Sequence, residues 1–144
     1  MADIKLMNKS QTYEVMDLWL RTSTHDHPFV EPNFWENHYD FVKQKYIADK
    51  DTYIYIEDDK IVGFTGVTDD NMVTGLFVDP AYQNRGIGKA LIKFLQTEYS
   101  ILHVKTYAKN RKALAFATKL GFIIDGAIRH EYNNEVMYTM LWNG

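Results

Sequence analysis

Apolar positions follow two periods along this chain, and the order in which the periods alternate already outlines a fold. Ile4, Lys5 and Leu6 read as a short strand. From residue 11 to about 22, Val15, Leu18 and Trp19 recur at helical spacing behind a candidate N-cap at Ser10, with Tyr13 in the capping-box position. A loop is expected over 23–32, and then a helix to about residue 48. Asn33 is its candidate N-cap, Glu36 completes a capping box, and Phe34, Trp35, Phe41 and Val42 face inward. Residues 53–56 and 61–67 alternate as strands around the polar turn Asp58-Asp59-Lys60 and are expected to pair as a hairpin. Asp69-Asp70-Asn71 then turns the chain into a third strand over 72–78, within which Gly75 marks a bulge or a close backbone approach.

The stretch LFVDPAYQNRGIGKALIKFL, residues 76–95, carries the densest chemistry. Leu76, Phe77 and Val78 end a buried strand, Asp79-Pro80 stops it, and Ile87, Ala90, Leu91, Phe94 and Leu95 form one apolar helix face. Between them lies the turn Gln83-Asn84-Arg85-Gly86-Ile87-Gly88. Two glycines at a helix mouth let a ligand approach the backbone, where first-turn N–H groups have no partners inside the helix and attract anions. A diphosphate suits that mouth, with Arg85 and Lys89 adding positive charge. A Walker loop ending at Lys89 would need glycine at Gln83 and Ser or Thr at Ala90. A dinucleotide fingerprint from Gly86 would need a small residue at Leu91, so neither pattern is met.

Downstream, residues 101–107 form another strand, and a helix runs from Asn110 to about Leu120, ended by Gly121. A helix-length crossover separates this strand from 72–78, so the two are expected to lie parallel. Phe122, Ile123 and Ile124 continue towards Tyr132, and residues 135–142 return through Asn133-Asn134 as a second hairpin.

A length of 144 residues with 46% hydrophobic content suits one compact domain spanning 1–144. The net charge of −3, with dispersed Lys and Arg, disfavours nucleic acid as a partner. The lack of cysteine removes disulfides, thiolate metal sites and a cysteine nucleophile. No signal-like apolar run opens the sequence and none is long enough to span a bilayer, so no membrane partner is expected and cytoplasmic residence is the default. His25, Asp26 and His27 lack helix-face metal spacing and a distant third ligand, so no metal is expected.

Gln83-x-x-Gly86-x-Gly88, preceded by LFVDP and followed by an amphipathic helix, resembles the acetyl-CoA signature of the GNAT superfamily of N-acetyltransferases. Asn110-x-x-Ala113-x-x-Phe116, followed by Gly121-Phe122, resembles that family's second helix motif. The resemblance implies an α/β (α+β) GNAT fold: a mixed, mostly antiparallel twisted sheet of six to seven strands, a parallel central pair splayed at a cofactor cleft, and about four helices on the faces. It implies acetyl-CoA as cosubstrate, an amine as acceptor, and a monomer or a homodimer joined through the last hairpin. Thr24 to Phe29, with Asp17-Leu18-Trp19-Leu20 before and Asn33-Phe34-Trp35 after, looks like a bacterial subgroup associated with acetylating protein lysines or unidentified amines.

On that reading Leu76, Phe77, Val78, Gln83, Asn84, Arg85, Gly86, Ile87, Gly88, Lys89, Asn110, Ala113 and Phe116 hold the carrier. His25, Asp26, Phe29 and Trp35 line the acceptor side. An unpaired N–H near Phe77 or Val78 would stabilise the oxyanion. Relatives place a glutamate on the central strand as base, and 72–78 contains none, so His27 is the first candidate. Relatives place a tyrosine acid after the aromatic at Phe116, and Ala117 stands there, so Tyr107 is the first candidate, ahead of Tyr132 and Tyr138. His103 and His130 read as strand surface residues and His38 as a polar position on the second helix. The missing glutamate and tyrosine keep a second function in view, a non-catalytic acetyl-CoA sensor or partner module on the same fold. Thermal shift with acetyl-CoA followed by thiol release against amines separates the two.

Overall fold

A computed structural model describes residues 3–26, 28–44, 51–131 and 133–144, with the side chains of Asp26 and Pro32 outside the description. Strands β1 (Asp3–Leu6), β2 (Asp51–Glu57), β3 (Lys60–Val67) and β4 (Val73–Val78) form one antiparallel sheet in the order β1-β2-β3-β4. Strands β5 (Leu102–Tyr107), β6 (Ile123–Arg129) and β7 (Val136–Trp142) form a second, in the order β5-β7-β6. The expected parallel pair is present as a single rung, Met72 with His103, between the two sheets. The rung is made through His103 N–H to the Asn71 carbonyl at 2.8 Å, and one further bond supports it, Asn71 Nδ2 to the Ile101 carbonyl at 2.9 Å. Beyond it β4 and β5 part.

The helices are α1 (Thr12–Asp26), α2 (Pro32–Asn37), α3 (Tyr39–Val42), α4 (Ile87–Glu98) and α5 (Arg111–Lys119). Alternation along β2 and β3 assigns them to two faces. Ile54 and Phe64 pack with Val15, Met16, Leu18, Trp19 and Trp35, whereas Tyr53, Val67 and Val73 pack with Ile92 and Leu95 of α4 and with Leu102, Phe122 and Met140. The β2–β3 turn closes through Asp58 and Asp59, both at positive φ (55° and 61°), as a two-residue hairpin turn requires.

Three expected boundaries move. A short 3-10 turn (Lys9–Gln11) precedes α1, and its N-cap is Asn8 rather than Ser10. Gln11 supplies the reciprocal bond, accepting from the Asn8 N–H at 3.0 Å. The expected loop from residue 23 is instead the last turn of α1, because Thr22 and Ser23 are fully buried and Thr24 Oγ1 donates back to the Leu20 carbonyl at 2.9 Å. The expected second helix begins one residue before Asn33, with Glu31 as N-cap and Pro32 pre-setting the first turn, so no Asn33–Glu36 capping box forms. It also breaks at His38, whose Nδ1 lies 2.7 Å from the Phe34 carbonyl while its N–H bonds to Trp35 instead. Past the break Phe41, expected inward, is 53% exposed.

Candidate active site

The parted strands open a cleft of about 1250 Å³, large enough for a cosubstrate and an acceptor together. One wall is β4. Asp79 N–H donates to the Val62 carbonyl at 2.8 Å, and the register places Phe77 opposite Phe64 and Val78 opposite Gly63. Antiparallel alternation therefore spends the Phe77 N–H on β3 and aims the N–H groups of Leu76 and Val78 into the opening. The Val78 carbonyl points the same way and accepts from Gln83 Nε2 at 3.0 Å. Of the two donors expected near here, Val78 is available to a ligand and Phe77 is not.

The register slips between Gly66 and Val67, leaving Thr74 as an extra residue on β4, which is the bulge anticipated at Gly75. Gly75 has φ +151°, and a Cβ there would lie 2.4 Å from the Phe77 ring. Gly75→Ala should therefore cost about 2–3 kcal/mol, from strained backbone and the ring contact together. Urea denaturation checks this, and an unchanged midpoint would refute it.

At the far end of β4 the chain caps α4 with Gly86 in the left-handed region (φ 86°), after Asn84 at φ 65°. The first intrahelical bond there is Ala90 N–H to the Gly86 carbonyl at 3.0 Å, so the preceding N–H groups have no intrahelical partner and make a mouth whose chemistry suits an anion. Gly88 sits where the walls approach. A Cβ on it would lie 3.2 Å from Leu76 Cδ2 on β4 and 3.5 Å from Phe116 Cζ on α5. Gln83, Asn84, Gly86, Ile87, Gly88 and Lys89 line this end, as do Asn110, Ala113 and Phe116 opposite. Asn110 also caps α5, its side-chain oxygen accepting from the Ala113 N–H at 3.1 Å. Arg85 does not line the cleft. Its guanidinium lies 3.7 Å from Glu57 and 5.1 Å from the Tyr82 ring centre, so the side-chain cation expected at the mouth is turned away. Lys105 and Lys112, which the sequence did not single out, line the cleft with Lys89.

The other end is walled by Trp19, Phe34, Trp35, Phe41 and Val42, and closed by Tyr107, Ile128, Arg129, His130, Glu131 and Met137. Trp35, expected on the acceptor side, lines this aromatic end of the cleft. His25 is exposed on the last turn of α1 and lines no part of the cleft, and neither does Phe29, whose ring packs edge-on against Tyr107 at 5.4 Å. Both were expected to touch acceptor; the extension of α1 carries His25 away and turns Phe29 into a buttress. His27 and Tyr132 lie outside the described residues, and Asp26 ends α1. Tyr138 faces Thr106 and Ala127 across β7 and does not line the cleft.

Tyr107 is buried at the end of β5. Its hydroxyl accepts from Asn133 Nδ2 at 2.8 Å, and that amide's orientation is fixed because its oxygen accepts the Glu135 N–H at 3.1 Å. The hydroxyl proton is therefore not spent on Asn133. Burial raises the phenol above its ordinary pKa, the bond from Asn133 opposes this, and Glu135 adds to it. His130, read from the sequence as a strand surface residue, is half-buried in the cleft wall, and His38, read as a polar position on the second helix, lines the same wall.

A family model described as an acetyltransferase (GNAT) domain matches residues 23–140. The chain belongs to the GNAT acetyltransferase family. Among curated GNAT relatives it is 33% identical to the peptidyl-lysine N-acetyltransferase YiaC of Escherichia coli, across 89% of this chain and 88% of that one. It is 25% identical to the peptidyl-lysine N-acetyltransferase YjaB of Salmonella typhimurium, across 88% and 86%. Its fold matches the solution structure of apo YjaB from Escherichia coli with a TM-score of 0.85, at 19% identity over 100% and 99% of the two chains. It also matches the PaiA N-acetyltransferase of Thermoplasma acidophilum, solved with coenzyme A, with a TM-score of 0.80 at 12% identity over 100% and 99%. As a GNAT enzyme the chain takes acetyl-CoA as cosubstrate and transfers its acetyl group to a primary amine. Among the described residues no helix is long and apolar enough to cross a membrane.

Proposed function

We propose that this enzyme acetylates the ε-amino group of lysine side chains in proteins, by direct attack on acetyl-CoA while both are bound. The observation that carries the reading is the acceptor end of the cleft. Trp19, Phe34, Trp35 and Phe41 give an apolar wall suited to an aliphatic stem, and the Glu131 carboxylate belongs to the same lining, where it suits a cationic head. The 33% identity to a relative named for peptidyl-lysine acetylation supports it. Direct attack follows from composition, since the chain has no cysteine to carry an acetyl group.

In this reading the N–H groups at the start of α4 receive the carrier's diphosphate, with Gly86, Ile87, Gly88 and Lys89 presenting backbone and Lys89 adding charge. Leu76 and Val78 offer N–H groups to the thioester carbonyl, whose oxygen gains charge as the amine attacks. Phe116 and Ala113 close the opposite wall, and Tyr107 supplies a proton to the departing thiolate. A soluble protein working on protein lysines suits the cytoplasm.

Thiol release from acetyl-CoA, measured against lysine peptides, N-terminal amines, diamines and aminoglycosides, tests the reading. The expected outcome is the highest kcat/KM on lysine peptides, with acetylation mapped to the ε-nitrogen. A preference of tenfold or more for a small amine, or binding of acetyl-CoA with no release on any amine, would overturn it.

A further inference from the structure

We propose that His130 is the general base of the reaction and that it passes the proton it takes to Tyr107, where that proton replaces the one Tyr107 gives to the thiolate. The inference rests on the lysine-acetylation reading and assigns its proton path. No glutamate stands on β4 between Val73 and Val78, and the base must come from another wall of the cleft.

His130 has the position for it. Its backbone is held at both ends, N–H to the Glu135 carbonyl at 2.7 Å and carbonyl from the Asn134 N–H at 2.8 Å, which fixes the root of the side chain. Its ring meets Phe34 edge-on at 5.4 Å and lies 6.3 Å from the Tyr107 ring, tilted by 31°. Phe34 in turn contacts the His38 ring at 4.3 Å, so two imidazoles and a phenol crowd one end of the cleft around a shared aromatic.

The charged and titratable neighbours come from three directions. His38 faces His130 from the break between α2 and α3, Lys105 and Tyr107 from β5, and Glu131 from its own turn. Burial first, and then His38 and Lys105, lower the His130 pKa below its ordinary value, with Glu131 opposing. The imidazole is therefore neutral at pH 7 and able to accept a proton. Glu131 receives the lysine head as a cation, and its passage inward past Trp19, Phe34 and Trp35 then disfavours the charged form, narrowing the gap the transfer must cross.

The balance closes without a co-reactant. As the C–N bond forms, a His130 ring nitrogen takes the proton from the attacking nitrogen. As the C–S bond breaks, the Tyr107 hydroxyl gives its proton to the thiolate, and the imidazolium then reprotonates the phenolate. Amide and thiol leave with both side chains restored.

The test is the pH profile of kcat/KM on a lysine peptide for the wild type, His130→Gln, Tyr107→Phe and the double variant. The wild type should lose activity on acidification through an inflection below about pH 6.5, the ordinary histidine value. His130→Gln should fall about a hundredfold at pH 7 and lose that inflection, with the KM for acetyl-CoA within twofold and melting little changed. The double variant should fall little further than either single one, as expected of one path. An unaltered inflection in His130→Gln, activity within twofold of wild type, or multiplicative losses in the double variant would overturn the assignment while leaving lysine acetylation standing. A wild type that binds acetyl-CoA and acetylates no lysine peptide overturns both. If His130→Gln does not fold, NMR titration of the wild-type imidazoles decides: a His130 value at or above 6.5 sinks the proposal.

Discussion

Gly88→Leu will raise the KM for acetyl-CoA by a hundredfold or more and leave the melting temperature within a few degrees. The two halves of this expectation have separate causes. A Cβ at residue 88 points across the cleft, between Leu76 on one wall and Phe116 on the other, so a leucine side chain fills the passage between the anion-binding mouth and the thioester end. A hundredfold corresponds to about 2.7 kcal/mol, within reach of blocking a passage with a branched side chain. Folding is spared because the nearest atoms are the ends of flexible side chains, and because replacing glycine inside a helix returns up to about 1 kcal/mol. Gly86 is needed for a different reason. A Cβ there meets nothing within 4 Å, and the constraint is its φ of +86°. Steady-state kinetics beside a thermal melt make the check, and an unchanged KM would remove the carrier from this mouth.

Tyr107→Phe carries the second large effect, an expected fall in kcat of about a hundredfold with both KM values little moved. The ring keeps its edge-on contacts with Phe29 and Trp35, so the wall of the cleft stays in place. What disappears is one hydroxyl, its proton and the acceptor for Asn133 Nδ2; the lost hydrogen bond is worth about 1 kcal/mol of stability. Because burial holds the phenol pKa above its ordinary value near 10, the group stays protonated through the neutral range. The wild-type rate should accordingly show no basic limb below about pH 10, and Tyr107→Phe should depress the whole plateau. A variant within threefold of wild type would relieve Tyr107 of the acid role.

The sequence made the geometry of the glycine-rich helix mouth legible and left the aromatic end of the cleft obscure, and the difference is one of range. Gly86 and Gly88 are demanded by local conformation and close approach, Gly75 by the bulge, and Asn110 by the cap of the helix that begins there; each constraint acts within a few residues. The two hairpins followed from period-two alternation, and the parallel pairing from one crossover of helical length. By contrast, Arg85 turns from the mouth because Glu57 and Tyr82 draw it elsewhere. The Ser/Thr run at the end of α1 looked like a loop and is helical because tertiary packing buries it. His38 and His130 are 92 positions apart, and no pattern in either neighbourhood signals that a break between two helices and the end of β6 bring them to one wall.

The single rung between Met72 and His103 has an effect on more than the shape of the site. Among the described residues the Met72–His103 rung is the isolated backbone bridge between the two ladders, and a long guest that lies in the gap and bonds to both lips adds a brace. Saturation with the thioester should then slow amide exchange along the facing edges of β4 and β5, with stability rising as the logarithm of guest concentration. Supply of the acetyl donor would in this way govern how tightly the protein is held shut as well as how fast it works.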